Sequence, residues 1–173
     1  MDILENWIQT FPDFPSKGIL FRDISPLLAD AQALKIVKEK LCESIQPLRP
    51  DFIAGIDARG FLFSTLVAES LGIGSLMIRK SGKLPGELVE KSYSLEYGSN
   101  TLSMQRIDLH KKKVLIIDDL LATGGSMKCS KDLLETQNAQ VVGGAVIIEL
   151  KSLGGAVLLL SLIHISEPTR LGF

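Results

Sequence analysis

The sequence predicts a mainly parallel α/β domain: a five-stranded sheet flanked by helices, with a structured N-terminal loop and a β-hairpin beside an exposed, flexible loop. Short, uniformly apolar runs at residues 52–56, 74–78, 114–117 and 140–150 read as strands buried on both faces, the mark of a parallel sheet. Helical spacing of apolar residues returns between several of them, as parallel crossovers require. Two of the strands also run into loops, Asp57-Ala58-Arg59-Gly60 and Ala122-Thr123-Gly124-Gly125-Ser126, each opening a helix. Open α/β sheets bind ligands at such carboxyl ends.

The elements follow in order. Ile3, Trp7, Ile8 and Phe11 fall at helical spacing and predict a short amphipathic helix ended by Pro12, with Trp7 in the core. Pro15, Gly18 and Pro26 make the next stretch a structured loop with an extended piece around Ile19 to Phe21. Asp30 is an N-cap, and Leu34, Val37, Leu41 and Ile45 mark one face of a helix ending near Pro47. Strand Phe52 to Ile56 leads through the Asp57 loop into a helix from Phe61 to Ser70. Strand Gly74 to Ile78 ends in a basic, exposed loop, Arg79 to Gly86. Residues Tyr93 to Gln105 alternate like a hairpin. Val114 to Ile117, a helix from Met127 to Gln137, and a strand over Gln140 to Leu150 complete the sheet; the Gly143-Gly144 pair in that last strand has no local explanation.

With 173 residues, 46% hydrophobic and 23% charged, the chain is most simply one domain with a substantial core. A formal net charge of −1 argues against nucleic-acid or membrane-surface partners. No apolar run has the length of a membrane span. The start, MDILENWIQTF, has two acids and no basic segment, which speaks against a signal peptide and for a cytoplasmic protein. Cys42 and Cys129 lack metal-ligand spacing and read as reduced, partly buried thiols.

Chemistry concentrates in VLIIDDLLATGGS, residues 114–126. A loop of small residues entering a helix N-terminus presents free N–H groups and a positive dipole end to a phosphate. Thr123 and Ser126 add hydroxyl donors. Asp118 and Asp119 are acceptors suited to the hydroxyls of a polyol. Together these describe a ribose 5-phosphate site; the alternative is an ordinary strand–turn–helix with an acidic turn. No Gly-Lys-Ser/Thr follows, and GxGxxG is absent, so neither a nucleotide P-loop nor a dinucleotide fingerprint is present.

The thirteen residues resemble, at every position, the 5-phosphoribosyl 1-diphosphate (PRPP) motif of type I phosphoribosyltransferases. Four further stretches are similar to the adenine phosphoribosyltransferases: FPSKGILFRDISPLL (14–28), DARGF (57–61), RKSGKLPG (79–86) and SYSLEYG (92–98). The resemblance implies the type I phosphoribosyltransferase fold and the salvage reaction of adenine with PRPP to give AMP and diphosphate. It implies Mg²⁺ carried by PRPP and water, with no protein metal ligands, and a homodimer. Asp118, Asp119, Ala122, Thr123, Gly124, Gly125 and Ser126 would hold the ribose and its phosphate. Asp57, Ala58, Arg59 and Gly60 would hold diphosphate, with a cis Asp57–Ala58 bond. Arg79 and Lys83 would neutralise the diphosphate, Arg79 across a dimer interface. Backbone groups of Leu20 and Arg22 would read the adenine edge, with Phe21 against the ring. Glu96 would exchange a proton with the purine, and with Arg59 and Lys83 completes the expected catalytic set.

Two other functions share the PRPP motif. One is a hypoxanthine–guanine or xanthine phosphoribosyltransferase, not expected to carry FRDISPLL or SYSLEYG. The other is a PRPP-binding regulator without catalysis, which usually adds a DNA-binding module. The resemblance covers residues 1–155, with the hood at about 1–28, and then stops. The family continues with a basic segment and a last strand ending in an aromatic–acid pair. Here the chain reads AVLLLSLIHISEPTRLGF, and SLIHISEPTR looks like translated sequencing adapter. We therefore read residues 156–173 as an atypical tail that is not native sequence, with a divergent apolar strand as the alternative; His164 has no catalytic part in either reading.

Overall fold

The computed structural model describes residues 4–95, 98–158 and 164–166, the side chains of 158 and 164–166 excepted. A 3₁₀ turn at Glu5–Trp7 precedes β1 (Gln9–Pro12), which pairs antiparallel with β2 (Leu20–Asp23) to form the hood. This corrects the amphipathic helix expected over residues 3–11. Phe11 lies opposite Phe21 in the ribbon, and that long-range pairing overrides the local period. A short α1 (Ser25–Ala29), which the turn formers concealed, buries Leu27. In α2 (Ala31–Ile45), Asp30 caps the helix by accepting from the Gln32 and Ala33 amides, and Ala33, Val37, Leu41 and Ile45 form the buried stripe.

The main sheet begins with β3 (Phe52–Ile56), which leads into α3 (Gly60–Leu71), and then β4 (Gly74–Lys80). The hairpin β5 (Leu88–Leu95) and β6 (Gly98–Gln105) pairs onto the end of β4. Then come β7 (Lys113–Leu121), α4 (Gly125–Glu135) and β8 (Gln140–Glu149). A single helical turn, α5 (Gly155–Leu158), and β9 (His164–Ser166) lie in the tail, β9 parallel to β8. The strand order is β5-β6-β4-β3-β7-β8-β9, so five parallel strands carry the hairpin on one edge and make seven in all among the described residues.

Alternation on β7 explains the layers. Val114 and Ile116 face Met127, Leu133 and Leu134 of α4, whereas Leu115 and Ile117 face Val37 and Leu41 of α2 and Phe63 and Val67 of α3. A bulge places Val142 out of step between Val141 and Gly143, and the Met127 sulfur packs where a Cβ on Gly144 would stand, which accounts for Gly144. Cys42 and Cys129 are free thiols, and burial raises both above the usual thiol range.

Close packing of β3 on α3 holds the Asp57 loop in place. A Cβ on Gly55 would stand 2.2 Å from Ser64 Oγ and 2.8 Å from Ser64 Cβ. Gly55→Ala is therefore expected to lower the unfolding free energy by about 1–3 kcal/mol, as overpacked cores do, with urea denaturation as the check. An unchanged midpoint would mean that α3 can move away from the sheet freely.

Candidate functional site

Two helix N-termini open on one cleft of about 290 Å³. At the first, β3 ends at Ile56 and the chain turns through Asp57, Ala58 and Arg59 into α3, with a cis Asp57–Ala58 bond as the resemblance implied. At the second, β7 continues through Asp118 and Asp119 to Leu121, and Ala122, Thr123 and Gly124 lead into α4. Neither helix has a side-chain cap at its start or an acid in its first turn. Such uncapped amides, added to the dipole, favour an anion. Gly124 takes φ +83, a left-handed conformation that glycine adopts without cost. Gly60 joins the two halves: a Cβ there would meet the Ile117 carbonyl oxygen at 2.9 Å and Asp118 Oδ1 at 3.2 Å.

The carboxylates differ in environment. Asp119 is 6% exposed, and its Oδ2 lies 2.7 Å from Arg59 Nη2. Asp118 faces the cleft and accepts the Asp119 amide on Oδ1 at 2.9 Å. Burial first, and then the Asp119 charge, hold the Asp118 carboxyl well above the usual carboxylate range. Arg59 donates from Nη1 to the Arg22 carbonyl at 3.4 Å, and its guanidinium carbon stands 5.5 Å from the Phe21 ring centre. One arginine thus ties the cleft to the hood. In the hood itself, Phe14 packs edge-on against Phe21 at 5.1 Å, and Arg22 Nη1 donates to Thr10 Oγ1. The Arg22 carbonyl points away from β1 toward Arg59; by the alternation of an antiparallel pair, the Leu20 backbone shares that outer edge.

Most of the expected site converges. Asp57, Ala58, Arg59, Asp118, Asp119 and Ala122 to Ser126 line the cleft. Gly60 lies directly behind it, and Phe21 and Arg22 reach it through Arg59, whereas Leu20 makes no contact with Arg59 and lies next to Phe21 in β2. Arg79 pairs within the chain, its Nε 3.2 Å from Asp57 Oδ2 and its Nη1 donating to the Lys83 carbonyl at 3.3 Å. It also stands over the Phe61 ring at 5.8 Å. Lys83 is exposed on the loop after β4, away from the cleft lining. Glu96 lies outside the described residues.

Tyr93 and Leu95 line the cleft without having been anticipated. Tyr93 closes over the start of α4, where a Cβ on Gly125 would meet its ring at 3.1 Å. The signal was the period of β5: Val89, Lys91, Tyr93 and Leu95 share one face, and Val89 and Tyr93 pack on the core.

Comparison with known proteins gives the family and the fold. The family model described as phosphoribosyl transferase domain matches residues 24–157. The chain is 48% identical over 158 residues to the adenine phosphoribosyltransferase of Oenococcus oeni, with 90% of each covered. It is 47% identical over 153 residues to that of Rhodospirillum rubrum, covering 88% of this chain and 90% of the relative. Among solved structures, the adenine phosphoribosyltransferase of Thermoanaerobacter pseudethanolicus superposes with a TM-score of 0.91 at 39% identity, covering 95% of this chain and 96% of that one. The Saccharomyces cerevisiae enzyme, solved with an imino-altritol bisphosphate and adenine, gives 0.88 at 33% identity with the same coverage.

Proposed function

The chain belongs to the phosphoribosyl transferase family, with the adenine phosphoribosyltransferases, and from that membership we infer that it transfers the phosphoribosyl group of PRPP to adenine. The products are AMP and diphosphate, and the reaction is a pentosyl transfer of purine salvage. One observation carries the reading at the level of geometry: two uncapped helix N-termini and two adjacent carboxylates face one cleft. That is the complement of a sugar bearing an anion at each end.

Roles follow from position. The α4 amides with Thr123 and Ser126 would take the 5-phosphate, and Asp118 and Asp119 the ribose hydroxyls. Asp57, Ala58, Arg59 and Gly60 at the start of α3 would take the diphosphate, whose negative charge grows as its bond to the anomeric carbon breaks. Arg79, held on Asp57, and Lys83 on the neighbouring loop would add cations there. The outward backbone of Leu20 and Arg22 offers a C=O and an N–H to adenine's edge, with the half-buried Phe21 ring against its face. Glu96 is our candidate for moving the purine's proton.

Magnesium fits the donor set. Asp57, Asp118 and Asp119 border the cleft and supply only oxygen donors. An ion held by substrate phosphates and water suits that arrangement, and when bound it would neutralise diphosphate charge. We assign the transferase to residues 1–155 and keep 156–173 as a tail that is not native sequence. A homodimer is proposed on the family resemblance alone. No helix among the described residues is long and apolar enough to cross a membrane.

The test is diphosphate release from PRPP with Mg²⁺, adenine and hypoxanthine being offered separately. Release with adenine alone is expected. Release with hypoxanthine instead would overturn the base assignment, and PRPP binding without turnover would favour a regulator.

A further inference from the structure

We propose that Gly155, in the turn after β8, is a positioning residue for the loop between β7 and α4. The inference rests on the reading of that loop as the 5-phosphate site. The two segments leave the sheet side by side: Leu121 pairs with Glu149, and the Leu150 amide donates to the Leu121 carbonyl at 2.8 Å. A 3₁₀ turn over Lys151–Leu153 and a left-handed Gly154 (φ +65) then fold the chain back. Gly155 comes to lie against the loop backbone.

The contact is closer than any side chain permits. A Cβ on Gly155 would stand 2.3 Å from the Ala122 carbonyl oxygen and 3.0 Å from the Gly124 nitrogen. Reciprocally, a Cβ on Gly124 would stand 2.8 Å from the Gly155 oxygen. Both contacts are with backbone, which cannot swing aside as a long side chain does. Gly155 is therefore the rear wall of the Ala122–Gly124 arc, and it fixes where the loop amides point without facing the cleft itself.

Adjacent glycines separate this role from a general need for glycine. Gly154 has positive φ and nothing within 4 Å of its virtual Cβ, whereas Gly155 has no positive φ and no room. Alanine at 154 strains the backbone and touches nothing; alanine at 155 pushes the loop and strains nothing.

The experiment compares Gly155→Ala and Gly154→Ala with the wild-type chain by steady-state kinetics, varying PRPP and adenine separately, and by calorimetric binding of ribose 5-phosphate. In Gly155→Ala, the KM for PRPP should rise about tenfold or more, with parallel weakening of ribose 5-phosphate, because a displaced cradle loses binding common to ground and transition states. Its kcat and KM for adenine should stay within about twofold. Gly154→Ala should melt lower with an unchanged KM for PRPP. A wild-type KM for PRPP in Gly155→Ala, an equal rise for adenine, or the same shift in both variants overturns the proposal. Should Gly155→Ala not fold, hydrogen exchange of the wild-type chain decides: ribose 5-phosphate should slow exchange at residues 151–157 together with 122–127, and slowing confined to 122–127 overturns it. Failure of the wild-type chain to bind ribose 5-phosphate would overturn the phosphate reading and, with it, this inference.

Discussion

Replacing Asp118 with Asn is expected to lower kcat/KM for PRPP by about 10- to 100-fold while raising the melting temperature at neutral pH. The loss follows from the ribose: one acceptor oxygen of the carboxyl becomes an amide donor, and a polar group left without its partner costs about 1–3 kcal/mol. The gain follows from linkage. Burial and the Asp119 charge raise the folded-state carboxyl of Asp118, so the folded chain keeps that proton to higher pH than the unfolded chain does. Where the folded state binds more protons, stability falls as pH rises. The penalty begins near the unfolded value of about 3.9 and is complete above the folded one. Asn carries no such penalty, and its carbonyl can still accept the Asp119 amide that Asp118 Oδ1 now accepts. The melting advantage of the variant should therefore be small near pH 4, widen as pH rises, and then level off. A variant that melts below wild type at neutral pH, or an advantage independent of pH, would show that Asp118 is not held at a cost to the fold.

Arg59→Ala should have the largest effect on catalysis, about 10²–10³-fold in kcat/KM, the scale reached when a preorganised group facing developing charge is removed. The geometry adds a second expectation. Arg59 balances the buried Asp119, whose side chain is 8% exposed, and its guanidinium also reaches the Arg22 carbonyl and the Phe21 ring. Its loss leaves two neighbouring carboxyl groups without their cation. We expect destabilisation of about 1–3 kcal/mol, below the cost of breaking a fully buried pair because Arg59 is itself 35% exposed. The double variant Arg59→Ala, Asp119→Asn should recover part of that stability and none of the activity, since the buried charge is gone with its partner. Arg59→Lys should retain charge but not the fork that spans Asp119 and the hood, and so fall between wild type and alanine. Equal stability of the single and double variants would sink this account of the pair.

Legibility in the sequence followed the range of the cause. The Asp30 cap, the α2 stripe, the strand at 52–56 and the loop at 122–126 arise from neighbours in the chain, and each stands where local pattern placed it. Residues 4–12 did not follow their pattern, because pairing with β2 lies outside any local window. Tyr93 escaped notice because its role depends on Gly125, a residue on another element of the sheet's α4 side.

By itself, then, the sequence determined the parallel α/β architecture and the two loops that meet in the cleft, since apolar runs, turn residues and uncapped helix starts act over a few residues. Only the tertiary structure decided that Arg59 spends its charge on Asp119 and the hood, that Arg79 pairs with Asp57 in the same chain, and that Gly60 and Gly155 must lack side chains. Those outcomes depend on distances between segments far apart in the chain, and close packing sets such distances only once the whole domain has folded.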